Sequence, residues 1–284
     1  MSNQERVFSV EFFPPKDDAG AERLAKARKR LGALKPEFYS VTFGAGGSTR
    51  DRTLETVKDI INNDGIPAAP HVSCISSTKD ELRDLLNTYR EIGVDRIVAL
   101  RGDLPSGTKH SGGDFRYASE LVEFVRAEFG NQFKLEVAAY PEFHPQAPSA
   151  EKDLENFKIK VDAGADTAIT QYFYNVDAYV AFMERVEAMG ITIPIIPGIM
   201  PITNYTQIVR FSEMCGAEIP RYIRKRMEAY GDDKESIRKF GIEQATRLTD
   251  DLLEKGAPGI HFYSMNQAGP TEQIWKDLDL DSRR

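Results

Sequence analysis

One pattern recurs along the chain: a charged amphipathic segment ends in glycine, and a short apolar run follows. It occurs at Gly65 ahead of PAAPHVSC, at Gly93 ahead of DRIVALRGD and at Gly130 ahead of FKLEVAAYPE. It returns at Gly164 ahead of DTAITQYF, at Gly190 ahead of TIPIIPGI and at Gly256 ahead of PGIHFYSM. Glycine just past a helix takes the left-handed conformation that other residues resist. The apolar runs are rich in Val, Ile, Ala and Phe without strict alternation, as parallel strands covered on both faces should be. Two earlier runs, Val7–Phe13 and Phe38–Gly44, bring the expected strands to eight. Between them Leu24, Ala27, Leu31 and Leu34 fall at helical spacing and predict a helix over Ala21–Leu34.

Successive glycines stand 26 to 37 residues apart, the length of one strand-helix unit, except for the last interval, Gly190 to Gly256. That interval predicts extra helices, around Ile219–Tyr230 and Glu235–Leu253, before the eighth strand. Eight strand-helix units fit a (β/α)8 TIM barrel or an open doubly wound sheet. Polar residues favour the barrel. Glu11, Thr42, His71, Arg101, Asp103, Tyr140, Glu142, Gln171 and Tyr263 all fall at or just past the C-terminal end of a strand. A barrel gathers those ends at one mouth, whereas an open sheet spreads them along an edge.

The 284 residues form one expected domain, 1–284, with no Ser/Gly linker or low-complexity stretch to divide it. Hydrophobic residues make up 41% and charged residues 29%, which argues against disorder. A net charge of −7 with no basic run argues against nucleic-acid binding. No apolar stretch approaches a membrane span and the N-terminus lacks a signal-peptide pattern, so a cytoplasmic protein is expected. Cys74 and Cys215, the two cysteines, suit a reducing compartment and offer no CxxC metal motif. The four histidines, His71, His110, His144 and His261, show no HxxxH pair, so no metal is expected.

GAGGST, Gly44–Thr49, fails the GxGxxG dinucleotide pattern at Thr49 and reads as a flexible strand-to-helix turn. His71 is read either as a satisfied core histidine or as a ligand contact; His144 lies past a strand end, where function is favoured. Glu11 sits within the apolar run VEFFPP. It is read either as an ion-pair partner of Arg101 across the barrel or as an acid whose pKa burial has raised. Arg101 and Asp103, in LRGD, are either a structural pair or an anion contact with an electrostatic neighbour.

Taken in order, VEFFPP, SVTFGAGGSTRDRT, APHVSC, IVALRGDLP, VAAYPEFHP, KVDAGADTAITQYFY, IIPGIMPI and HFYSMN resemble the methylenetetrahydrofolate reductase family from about Val7 to Asn266. The resemblance implies a (β/α)8 flavoprotein oxidoreductase of one-carbon metabolism. Noncovalent FAD would pass a hydride from NADH or NADPH to 5,10-methylenetetrahydrofolate. The product, 5-methyltetrahydrofolate, supplies methyl groups for methionine biosynthesis.

By the same resemblance Glu11 is the general acid that protonates folate N10, and Asp103 is the carboxylate beside flavin and pterin. Gln171, Gln207 and Phe211 match substrate contacts. Gln267 stands where the family often has Arg for the folate. The matching FAD positions are Thr42, His71, Arg101, Gly102, Asp103, Tyr117, Ala118, Tyr140, His144, Asp153, Asn156 and Lys160, with Arg101 and Lys160 facing the pyrophosphate. Ping-pong kinetics is expected, because one mouth serves two substrates and no second nucleotide motif is found. A homo-oligomer, dimer or tetramer, is implied. Inhibition by S-adenosylmethionine is expected to be absent, since the chain stops soon after its eighth strand. Two rivals are a flavin-free barrel lyase or aldolase, which lacks a strand-end Schiff-base lysine, and a non-catalytic folate-binding protein, which needs no buried acid.

Overall fold

The computed structural model describes residues 5–43, 47–103 and 113–284. Residues 44–46 of the GAGGST turn and His110 lie outside them. Parallel strands β1 (Val7–Phe12), β2 (Phe38–Val41), β3 (Ala68–Ser73), β4 (Arg96–Leu100), β5 (Lys134–Ala139) and β6 (Thr167–Thr170) pair in chain order. The seventh run is broken into β7 (Ile195–Ile196) and β8 (Gly198–Ile199), and β9 (Gly259–Tyr263) follows. The break falls at Pro197, which has no N–H to donate to a ladder. Ile195 stands opposite Ala168 on one side, and Gly198 stands opposite His261 on the other. The two halves of one strand therefore join β6 to β9, while β9 pairs with β1 and closes the barrel. Eight expected strands become nine segments, with the barrel retained.

Helices α1 (Asp18–Gly32), α2 (Gly47–Asn63), α3 (Lys79–Glu91), α4 (Ala118–Phe129), α5 (Ala150–Asp162) and α6 (Val176–Ala188) each follow a strand. Then come α7 (Tyr205–Cys215), α8 (Arg221–Tyr230), α9 (Lys234–Glu254) and α10 (Ala268–Asp277). α1 starts three residues before its expected first residue because the Asp17 side chain caps it, accepting from Gly20 N–H at 2.6 Å. α9 packs against both α6 and α10 and so takes the ring position. That makes α7 and α8 the additions to the barrel.

The six helix-ending glycines all have positive φ, from 57° at Gly130 to 114° at Gly164. Strand residues divide by the pleat. Phe8, Val10 and Phe12 enter the main core between sheet and helices. Phe38, Ala69, Val98 and Ile169 form a separate cluster, joined by Val7, Leu100 and Tyr263, that fills the barrel itself. Near the strand starts, Arg96 pairs with Glu136 at 2.7 Å and with Glu37 at 2.6 Å, its guanidinium 4.2 Å from the Phe38 ring centre. This end is thus plugged by charge paired in place, and the opposite end is left for a site.

The seam between β1 and β9 depends on Gly259. Its φ is 153°, and a Cβ there would lie 1.8 Å from the Val7 carbonyl oxygen. Gly259→Ala is expected to lower stability by about 3 kcal/mol or more, read as a fall in the urea midpoint. An unmoved midpoint would show that the seam tolerates a side chain.

Candidate active site

The strand ends surround a cavity of about 360 Å³. Glu11 from β1, His71 from β3, Tyr140 after β5 and Gln171 after β6 line it, as does Tyr263 from β9. Phe211, Met214 and Cys215 of α7 form its outer wall, with Met200 and Tyr172 between. Five of the candidate residues, Glu11, His71, Tyr140, Gln171 and Phe211, are therefore brought together from distant parts of the chain.

Glu11 is not paired with Arg101. Its Oε2 lies 3.2 Å from His71 Nε2 and 3.5 Å from His261 Nε2, and Ser40 Oγ donates to it at 3.4 Å. His261 is fully buried and holds Ser9 Oγ at 2.7 Å through Nδ1. Burial by itself raises the Glu11 carboxyl pKa, but His71 and His261 outweigh it and hold the group at about 2. The sequence expectation of a raised pKa is thereby corrected. It took the carboxyl to sit among aromatics, whereas two imidazoles from other strands face it. The segment after Glu11 is clamped to the end of β9. Ser264 Oγ donates to the Glu11 carbonyl at 2.6 Å, and the Asn266 amide exchanges two hydrogen bonds with the Phe13 backbone, at 2.9 and 3.0 Å.

A second polar group adjoins the cavity through Tyr140, whose ring meets His144 edge-on with centroids 4.7 Å apart. Arg101 donates to Gln146 Oε1 at 2.7 Å, the Gln146 N–H to His144 Nδ1 at 3.0 Å, and the His144 N–H to Asp153 at 3.1 Å. Lys160 donates to the Ala138 carbonyl. Burial pulls the Lys160 ammonium down to about 8 against the pull of Asp153. Burial also lowers His144 and raises Asp153, and it pushes the Tyr140 hydroxyl up to about 12.

The other candidates stand outside the cavity lining. Thr42 is half-buried just past β2, and its N–H bonds Phe12 O at 2.9 Å. Asp103 is exposed at the end of a described stretch, near enough to act on the charge of Tyr140 and His144. Tyr117 caps α4, which begins at Ala118, and is 61% exposed. Asn156, Gln207 and Gln267 are exposed. Gly102 has φ 85°, and a Cβ there would lie 1.8 Å from Ser73 Oγ, so the turn after Arg101 needs glycine.

The structure adds His261, Ser9, Ser40, Tyr172 and Gln146 to the site and its surroundings. A histidine inside the apolar run HFYSMN was a usable signal for His261; the others carry none by residue type. Among the described residues no three His, Cys, Asp or Glu side chains are grouped to hold a metal, and no helix is long and apolar enough to cross a membrane.

The family model for methylenetetrahydrofolate reductase matches residues 1–279. The 5,10-methylenetetrahydrofolate reductase of Escherichia coli K12 is 43% identical over 272 residues, covering 96% of this chain and 90% of that protein. This chain belongs to the methylenetetrahydrofolate reductase family. Methylenetetrahydrofolate reductases reduce methylenetetrahydrofolate to methyltetrahydrofolate, which makes the chain an oxidoreductase of folate one-carbon metabolism. A probable methylenetetrahydrofolate reductase (NADH) of rice is 38% identical, with 96% of this chain matching 48% of that longer protein. Among solved structures, an uncharacterized Clostridium thermocellum protein that binds two copies of 5-methyl-5,6,7,8-tetrahydrofolic acid superposes with a TM-score of 0.71. It is 19% identical and covers 98% of this chain and 97% of its own. A Coxiella burnetii dihydropteroate synthase in complex with pteroic acid gives 0.53 at 13% identity, over 98% and 93% of the two chains. At these identities the likeness is one of fold, and that fold is the (β/α)8 barrel.

Proposed function

We propose that this reductase uses noncovalent FAD and NAD(P)H, taken in turn at one mouth, and that the Glu11 cluster is its acid. The observation that carries the reading is the carboxyl of Glu11 facing His71 and His261 in the same cavity as Gln171 and Phe211. NADH as donor is supported by the name of the rice relative.

The residues present fit FAD. Lys160 is a desolvated cation, and the Gly102 turn lets backbone approach closely. Arg101, His144 and Lys160 would hold the phosphate side, and His71 and Tyr140 the end that meets the cavity. Held there, FAD would supply hydride-transfer chemistry between nicotinamide and folate.

The chain's own part is binding and proton supply. Protonating N10 of the folate opens its five-membered ring, and the resulting cation at N5 accepts hydride. The Glu11 carboxylate faces the His71 and His261 imidazoles at 3.2 and 3.5 Å, and the proton for N10 is delivered through this group. Gln171 Oε1 accepts from the Tyr172 N–H at 3.0 Å, which leaves the amide nitrogen free to serve the pterin. Asp103, whose charge reaches Tyr140 on the cavity wall, would add negative potential that favours such a cation. A Schiff-base lyase is disfavoured: Lys160 spends its amine on a backbone carbonyl and does not line the cavity.

Phe211 is the aromatic surface offered to either flat ring. Phe211→Ala is expected to raise KM for both NADH and methylenetetrahydrofolate by roughly tenfold. In the parent protein double-reciprocal plots should be parallel, because the oxidised nicotinamide leaves before folate enters. Intersecting lines, or a variant affected toward one substrate alone, would overturn the shared surface.

A further inference from the structure

Helix α7 carries Phe211, Met214 and Cys215 to the cavity wall, yet it belongs to the inserted pair rather than to the barrel ring. It rests on an apolar cluster of its own. Ile208 of α7 packs there with Tyr172, Tyr174 and Met200 from the barrel ends and with Ile223 and Met227 of α8. Apolar contact decides which face of a helix is buried but holds its axial position weakly, because the attraction has no direction. Hydrogen bonds supply direction.

The hydroxyl of Tyr172 lies between two side chains of α7. It shares a hydrogen bond with Ser212 Oγ at 3.1 Å, and the Cys215 thiol donates to it at 3.3 Å. Ser212 directly follows Phe211, and Cys215 is one turn further on. Tyr172 and Ser212 are buried, at 5% and 6% exposure. Burial, with the thiol adding to it, raises the Tyr172 pKa, so the hydroxyl keeps its proton at neutral pH. The same residue's N–H holds Gln171 Oε1. One tyrosine thus touches the side chain of Gln171 and fixes the helix that bears Phe211.

We propose that Tyr172 is a positioning residue, which pins α7 through Ser212 and Cys215 and so sets Phe211 against Gln171 across the substrate cavity. The proposal rests on the reductase reading above. It assigns Tyr172 no contact with the reacting atoms.

The test uses the FAD-loaded full chain. Tyr172→Phe keeps the ring in the apolar cluster and removes the hydroxyl. KM for methylenetetrahydrofolate should rise about 3- to 10-fold, the range expected when a hydroxyl with one neutral and one weak thiol hydrogen bond is removed, with kcat within about twofold. Hydrogen exchange should quicken in Tyr205–Cys215 and stay unchanged in β1–β6. Ser212→Ala should act in the same direction, and the double variant should add less than the product of the single effects. Faster exchange with unchanged KM would reduce Tyr172 to a structural tie. A raised KM with unchanged exchange would make it a direct contact. Either result overturns the proposal. Absence of turnover in the parent protein would overturn the reductase reading on which it rests, while the exchange data would still decide whether Tyr172 pins α7.

Discussion

Glu11→Gln should slow oxidation of the pre-reduced, FAD-loaded protein by methylenetetrahydrofolate roughly 10²- to 10⁴-fold, the usual effect of disabling a positioned acid–base group. Reduction by NADH should survive nearly intact, because hydride transfer from a nicotinamide needs no proton donor. The geometry sharpens this expectation. Glutamine keeps the shape of the side chain between His71 and His261 but removes the acceptor charge that both imidazoles face. Anaerobic stopped-flow absorbance resolves the two halves. Equal losses in both would make Glu11 a structural residue. A second measurement separates its electrostatic role. The carboxyl is held below its ordinary 4.5, at about 2, so its pairing stabilises the fold above pH 4.5 and is lost as pH falls toward 2. The Gln variant should therefore show a flatter acid limb in a pH series of denaturation midpoints.

Lys160→Met should weaken FAD binding to the apoprotein about 10- to 100-fold, the range of a charge-assisted hydrogen bond in a desolvated place. Methionine keeps an unbranched apolar stem beside Phe157, whose ring centre lies 5.5 Å from the lysine Nζ. Burial has brought the ammonium down to about 8, so it is charged below that pH and neutral above it. The dissociation constant for FAD should accordingly climb as pH rises through 8, and the climb should vanish in the Met variant. Quenching of FAD fluorescence reads both. An affinity that is flat from pH 7 to 9.5 in the parent protein would remove Lys160 from the cofactor site without touching the assignment of the family.

Local order was legible along the chain because it depends on local chemistry. Gly65, Gly93, Gly130, Gly164, Gly190 and Gly256 each take positive φ because a helix ends there. The apolar runs between them are strands because both of their faces are covered. Polar residues at the ends of those runs gave away a mouth, and Glu11, His71, Tyr140, Gln171 and Phe211 do line one cavity. What the sequence could not supply is anything set by neighbours across the barrel. The broken strand at Pro197 became visible only once β6 and β9 were seen to take its two halves. Arg101 turns to Gln146 in a loop rather than to Glu11. The sign of the Glu11 shift depends on His71 from β3 and His261 from β9, which closure of the barrel brings within 3.5 Å. Electrostatic energy depends on distance and burial, neither of which is a property of a residue's place in the chain. Patterning along the chain suffices for the elements and their order; which groups meet at the mouth, and with what charge, follows from closure of the barrel.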